Sequence, residues 1–435
     1  KGKAPNTFGI GAKLFVFAGG RLQFQELQPV RGFMSCSEPV LHYGLGSLTS
    51  VDSLILIWPD NTYARMGRTK ADQTLKISYD RSKQDSIQNY QSFIDLLLHT
   101  GHDSILTDIT AASHIDYRHE EDISFIDFTQ QWFIPHEIST LGPKIAVADV
   151  DGDGLEDFFV CGGKGQGGTL FIQRPDATFS RSPDSAVFLK DRAAEGVDAI
   201  FVDVNGDHHP DLYVASGGNE YAGRAEELKD CLYLNDGKGH FTKSTGLPDL
   251  FENKSVVRVA DFDKDGDLDI FVGGRANSLI YGKPPASYLL ENDGRGHFTI
   301  VTATAAPGLA QIGMVTDAAW VDVDKDGWPD LVLTGEWMPP VLFKNHQGHL
   351  VREELTNDDV DLSGWWCGML ATDCNGDGYP DLLLGNYGLN SKLTASASAP
   401  LKMYIGDMMD NQRMSQIVAL QKNGSYYTFL DKENL

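Results

Sequence analysis

The sequence predicts an all-β chain: a β-propeller of four-stranded blades preceded by a small N-terminal β domain. Three observations predict it. A short acidic stretch, Asp149-Val-Asp151-Gly-Asp153-Gly-Leu-Glu-Asp157, recurs from Asp203, Asp261, Asp322 and Asp373. The spacing is roughly 50–60 residues, a period that marks solenoids and propellers. Each copy lies between two short apolar runs, such as Ile145-Ala-Val-Ala148 and Phe158-Phe-Val160, so each reads as a hairpin turning on an acidic loop. A second hairpin follows in several units, as in Cys231-Leu-Tyr-Leu-Asn-Asp-Gly-Lys-Gly-His-Phe241 and Tyr288-Leu-Leu-Glu-Asn-Asp-Gly-Arg-Gly-His-Phe298. Asp-Gly between strands is a strong turn signal, and two hairpins make the four strands of one blade.

Taken in order, residues 1–79 read as the N-terminal β domain. Strands alternate at Lys13–Phe17 and Leu22–Leu27, and a fully apolar strand, Leu54-Ile-Leu-Ile-Trp58, runs into a Pro59-Asp-Asn61 turn. Residues 80–104 are polar, with a short amphipathic piece at Tyr90–Leu98, and read as a linker. The propeller is expected over 105–435, with Ile105–Phe128 as its lead-in and Leu435 short of a closing element, so the chain reads as an excised or processed fragment. The segments Asn6–Ala12, Arg31–Ser35, His42-Tyr-Gly-Leu-Gly46 and Val51–Pro59 resemble the ASPIC/UnbV domain, a likeness that implies a fold and little chemistry.

The acidic loops carry the clearest chemistry. Carboxylates at positions 1, 3, 5 and 9 of a tight loop can converge on one point, and all-oxygen ligands suit a hard cation such as calcium. The expected ligands are Asp149, Asp151, Asp153 and Asp157; Asp203, Asn205, Asp207 and Asp211; Asp261, Asp263, Asp265 and Asp269; Asp322, Asp324, Asp326 and Asp330; and Asp373, Asn375, Asp377 and Asp381. About five Ca²⁺ sites follow. An EF-hand is excluded, because it needs Glu at position 12, where the first and third loops have Val160 and Val272. A sixth copy, Asp407–Ser415, has Met409 and Ser415 at ligand positions, so a hairpin without a tightly held ion is expected there. Five similar sites in series read as architectural rather than catalytic.

Strand, DxDxDGxxD-type loop and second strand together resemble FG-GAP/VCBS repeats, the blades of integrin-α-like propellers. That resemblance implies seven blades, of which six are countable. Together with the N-terminal likeness, it resembles exported, often lipid-anchored proteins of Bacteroidota-type bacteria. Localisation is therefore expected to be periplasmic or at the cell surface, with membrane attachment only through an anchor outside this chain.

Composition narrows the partners. The net charge of −25 argues against nucleic acid, which needs Lys/Arg patches. Five scattered cysteines without CxxC spacing argue against a zinc framework. Cys161 and Cys374 flank acidic loops and are expected to be buried.

In a propeller the metal turns share one face, and the connections after each second strand emerge on the other. Those connections, with the loop entering the fifth unit, would gather Gln166, Asn219, Glu220, Tyr221, Arg275, Glu336, Trp337, Trp365, Trp366, Asn386 and Tyr387. Loops on a rigid scaffold carry recognition, and this mixture suits a glycan or protein ligand. Other features carry less: residues 162–168 lack the Lys-Ser/Thr of a phosphate loop, and His114–Glu121 is not HExxH. The chain thus reads as a non-enzymatic, calcium-stabilised extracellular binding or adhesion module. A polysaccharide lyase or hydrolase on the same scaffold, and a structural spacer, are the alternatives.

Overall fold

A computed structural model describes residues 1–30, 37–87, 93–94, 108–131, 134–353, 355, 361–388, 391, 393–408 and 414–428. The chain divides into two compact units: Lys1–Asp108 with Gly388–Asn390, and Ile109–Tyr387 with Ser391–Leu435.

In the first unit, strands β1 (Lys13–Ala18), β2 (Arg21–Glu26), β3 (Ser50–Val51), β4 (Ser53–Ile57), β5 (Thr62–Met66), β6 (Thr69–Lys70) and β7 (Asp85–Ser86) form two sheets. The larger has the order β2-β1-β4-β5-β7, and β3 pairs with β6. The apolar run at 54–58 is explained by its place in this sheet. Ile55 and Ile57 pack with Phe15 on one face, while Leu54 packs with Val16 on the other, so neither strand face meets water. Asp85–Ser86 pairs with β5, and Ile87, Phe93 and Ile94 pack on the Phe15 face. The polar stretch after residue 79 therefore contributes to this sheet. Residues 31–36, with Cys36, and most of Tyr90–Leu98 lie outside the described residues.

The second unit is a series of propeller-like blades. β8 (Ile145–Ala148), β9 (Asp157–Val160), β10 (Thr169–Gln173) and β11 (Phe179–Arg181) form one four-stranded antiparallel meander. β12 (Glu195–Val202), β13 (Asp211–Gly217), β14 (Cys231–Asn235) and β15 (Phe241–Lys243) form the next. β16 (Asn253–Ala260), β17 (Asp269–Ala276), β18 (Tyr288–Asn292) and β19 (Phe298–Ile300) form the third. β20 (Met314–Val321), β21 (Asp330–Met338), β22 (Val341–Asn345) and β23 (Leu350–Glu353) form the fourth. The first strands of consecutive blades pack side by side from β8 through β24 (Gly364–Thr372).

Strand alternation explains the stacking. On β13, Leu212 and Val214 join the core shared with the first blade, while Tyr213 and Ala215 join the core shared with the third. On β17, Ile270 and Val272 face the second blade and Phe271 the fourth. A strand sandwiched this way must be apolar at every position, which is why these runs do not alternate. Side-chain amides lock the blades further. Asn235 Nδ2 donates to Val150 O at 2.8 Å, Asn292 Nδ2 to Val204 O at 2.9 Å, and Asn345 Nδ2 to Phe262 O at 2.7 Å. Each reaches position 2 of the acidic loop one blade earlier. Charge repeats the link along the first strands: Arg258 bonds Asp198 at 3.0 Å and Asp317 at 2.5 Å.

The fifth and sixth units depart from the four-stranded expectation. β24 pairs with β25 (Asp381–Asn386) and also with β21 of the fourth blade, through Glu336↔Trp365 and Met338↔Gly364. Among the described residues that hairpin gains no third strand of its own. Cys374, expected to be buried, is therefore exposed. Its counterparts Val150, Val204 and Phe262 at position 2 are buried under the next blade. Cys161 is buried as expected. β26 (Lys402–Gly406), β27 (Ser415–Lys422) and β28 (Ser425–Thr428) form a three-stranded sheet. Its first hairpin brackets the altered acidic copy, whose residues 409–413 lie outside the described residues. The lead-in adds no strand among its described residues. It runs as loop with a short helical turn at Asp127–Gln130.

Candidate functional site

Each acidic loop is shaped by its own backbone. Asp149 accepts from the amides of Gly152, Asp153 and Gly154, at 2.8, 3.2 and 2.9 Å. Asp203 does the same with Gly206 and His208, and Asp373 with Gly376 and Gly378. Gly152 and Gly154 take φ of +77° and +87°, left-handed values that favour glycine. Position 9 closes the loop from below. Asp157 accepts from Val150 N and Gln173 N, Asp211 from Val204 N and Asn235 N, and Asp269 from Phe262 N and Asn292 N. Asp330 accepts from Val323 N and Asn345 N. In the fifth loop Asp381 accepts from Cys374 N.

Three of these loops bring one carboxylate oxygen from each of three residues within 4.8 Å of one another: Asp149, Asp151 and Asp157; Asp261, Asp263 and Asp265; Asp322, Asp324 and Asp330. Such an all-oxygen donor set fits a hard cation. The second and fifth loops carry Asn205 and Asn375 at position 3, which offer a neutral oxygen. Burial, with the neighbouring loop carboxylates adding to it, raises Asp211 to about 6 and Asp269 to about 7. A bound cation would relieve that repulsion.

At the other end of the strands the picture changes. Of the residues expected on that face, Asn219, Arg275 and Glu336 are buried and engaged within the protein. Asn219 Nδ2 donates to Asp127 at 2.5 Å and its Oδ1 accepts from Leu279 N. Arg275 Nη2 donates to Glu336 Oε1 at 2.7 Å, His136 Nε2 bonds the same oxygen at 2.8 Å, and Tyr281 Oη donates to Oε2 at 2.6 Å. Burial alone would raise Glu336, but the Arg275 charge and the His136 ring outweigh it and hold the carboxyl well below its ordinary range. Gln166 clamps the lead-in, bonding Arg118 O, Glu120 N and Tyr117 Oη. Tyr221 donates to Ala193 O at 2.9 Å.

Above the Glu336 network sits an aromatic cluster. Trp337 meets Trp365 at 5.5 Å between ring centroids, Trp365 meets Tyr387 at 5.3 Å, and His136 meets Trp365 at 6.3 Å, all edge-on or tilted. Trp337, Trp365 and Tyr387 are half-buried. The β21–β24 pairing brings the two tryptophans together. Trp337 Nε1 donates to Tyr281 Oη at 3.0 Å, which ties the cluster to the buried charges. Trp337 has φ of +59°, an outlier for a bulky side chain that costs on the order of 1–3 kcal/mol. Trp366 and Asn386 are paired across the same hairpin, and Trp366 Nε1 donates to Leu362 O.

A second buried group lies at this end. Glu195 opens β12 and is 1% exposed, and burial, with Glu220, Glu121 and Asp127 adding to it, raises its carboxyl to about 9. Glu220 is half-buried and is also raised, chiefly by burial. His136, Asp127, Tyr281 and Glu195 were not expected here. The first three become neighbours of the expected residues only through long-range packing. Glu195 carried one faint sign, a charge opening a largely apolar strand that also holds Asp198.

Comparisons with known proteins agree with this layout. Residues 2–84 match the family described as ASPIC and UnbV, and residues 149–214, 203–272 and 322–384 match the FG-GAP-like repeat. Cartilage acidic protein 1 of Homo sapiens is 23% identical over 270 residues, covering 58% of this chain and 38% of that protein. Integrin alpha-V of Gallus gallus is 24% identical over 278 residues, 61% of this chain and 22% of that protein. The matched stretch thus spans well under half of either relative. Among solved structures, a fucose-specific lectin from Aleuria aurantia aligns over 87% of this chain and 89% of its own, at 7% identity and a TM-score of 0.33.

Proposed function

This chain is an FG-GAP-repeat protein with an N-terminal ASPIC and UnbV domain, and from that premise we propose that its repeat unit is a calcium-stabilised extracellular module binding a glycan or a protein. The loops hold the ions and stiffen the blades. Recognition lies at the opposite end of the strands, on the half-buried aromatic cluster of Trp337, Trp365 and Tyr387.

That cluster is the observation that carries the reading. Tryptophan and tyrosine give large, stiff contact area at little entropic cost, and they dominate binding hot spots. Here Trp337 is tied through Nε1 to Tyr281 Oη and so to the buried Arg275–Glu336–His136 network, which holds its orientation before a ligand arrives. Strain at Trp337 points the same way, because backbone outliers concentrate at ligand clamps.

Binding is favoured over cleavage by the position of Glu195. Burial raises its carboxyl into the range of a general acid, yet at 1% exposure it is out of a substrate's reach, whereas a general acid must meet the leaving group within hydrogen-bond distance.

The test is a panel of glycans and extracellular-matrix proteins read by binding and by product analysis. The reading expects binding without product, lost in Trp337→Ala/Trp365→Ala. Cleaved product, or binding unchanged in that variant, contradicts it.

A further inference from the structure

Glu195 opens β12 and Glu220 lies three residues beyond the end of β13, where the register pairs Glu195 with Gly217. The chain then turns at Gly218, whose φ is +85°. The point that a Gly218 Cβ would occupy lies 2.6 Å from Glu195 Oε2 and 2.5 Å from Glu220 Oε2. The two carboxylate oxygens therefore face each other beside Gly218, where no side chain separates them. Both oxygens of Glu195 and Oε2 of Glu220 are buried without a well-formed hydrogen bond among the described residues, although the Leu141 amide lies near enough to Glu195 to favour its charged form. The nearest cationic group acting on Glu220 is Lys164, and its Nζ is already bonded to Asp122 at 2.8 Å.

A buried carboxylate without a partner is costly, and a buried pair of them more so. Three other buried acids away from the acidic loops are answered within the protein. Glu336 has Arg275 and His136, Asp127 has three protein donors on one oxygen and Asn219 on the other, and Asp230 has Lys254 at 3.0 Å. Glu195 alone of these faces another carboxylate.

We propose that Glu195 and Glu220 form a divalent-cation site at the end of the blades opposite the acidic loops. Its donors are carboxylate oxygens, which select a hard cation, calcium or magnesium, over a thiol- or imidazole-seeking metal. The site is built differently from the loops. It uses one glutamate from the start of β12 and one from the connection after β13, with no DxDxDG spacing. An ion there would join the end of β13 to the start of β12, beneath the connections that carry Gln166 and Tyr221.

The experiment counts bound calcium by equilibrium dialysis and elemental analysis on the whole chain. It compares wild type, Glu195→Gln/Glu220→Gln, and Asp149→Asn/Asp151→Asn as a control for a loop site. The proposal expects the Glu variant to bind one equivalent fewer than wild type and to melt higher than wild type in EDTA, because a buried charge pair has been removed. The loop variant is expected to lose an equivalent and to gain no such stability in EDTA. If the double Glu variant does not fold, Glu220→Gln, at the more exposed of the two positions, is counted in its place. An unchanged calcium count in the folded Glu variant overturns the proposal and assigns the pair a shared proton instead.

Discussion

The two ends of the blades are built on opposite principles. At the loop end, the device is mostly local and it repeats: the first carboxylate of each turn is bonded by amides within five residues, and the ninth by amides of the same blade. At the other end nothing repeats. His136 meets Glu336 across two hundred residues of chain, and Asn219 meets Asp127 across ninety-two. A local, repeated device stiffens a scaffold and tolerates the loss of one copy. A unique, long-range device fixes a single surface, and losing any member unbalances the rest.

The largest expected effect follows from that contrast. Glu336→Ala leaves Arg275 buried beside His136 with no counter-charge, and breaking a buried pair in this way costs about 3–5 kcal/mol. Urea unfolding of the two proteins measures it, and a loss under about 1 kcal/mol would remove the distinction between the ends.

Calcium removal comes next. Saturation at about a hundred times the dissociation constant stabilises by roughly 2.7 kcal/mol per site. Melting in EDTA should fall well below melting in calcium, and Asp149→Asn/Asp151→Asn should show a smaller fall than wild type. Equal midpoints with and without calcium would mean that the loops stand without ions.

A pH series separates the ends more finely. The Glu336 carboxyl is held below the ordinary value of about 4.3, so between those limits the unfolded chain binds the extra proton. Its contribution is complete above about pH 4.3 and fades as pH drops toward the folded value. Glu336→Gln should lose that acid-side slope, which denaturant midpoints across the acid range would reveal.

The smallest effect lies between neighbouring loops. Lys325 Nζ sits 4.1 Å over the Tyr379 ring, as Lys264 does over Trp328 at 4.3 Å. At exposed sites such contacts contribute about 0.5–1 kcal/mol. Lys325→Ala should shift the urea midpoint by no more than that, and a larger loss would show the loop end to be as interdependent as the other.

The same contrast explains how much could be read from the sequence. The blades and their acidic turns were legible because the information is local: apolar runs, a fixed ligand spacing, Asp-Gly turns. The third-strand residues Asn235, Asn292 and Asn345 were present in the repeated hairpins, but their bonds to the preceding blade are not a local property. On the opposite end, topology alone placed Trp337, Trp365 and Tyr387 near one another. It could not show that Arg275 and Glu336 answer each other, or that Asn219 is spent on Asp127. Nor could it foresee that β24 would pair with β21, or that Cys374 would be exposed where repeat logic would have covered it.

The central claim is that the loop end holds the scaffold and the aromatic end binds. It is tested most directly by measuring melting and ligand binding together in two variants, using whichever panel member binds wild type. The account predicts that Trp337→Ala/Trp365→Ala weakens binding at least about 30-fold, the scale of a hot-spot loss of 2 kcal/mol or more, and keeps its response to calcium. It predicts that Asp149→Asn/Asp151→Asn melts lower in calcium yet binds as wild type does below its melting range. Binding lost in the loop variant and kept in the tryptophan variant would contradict it.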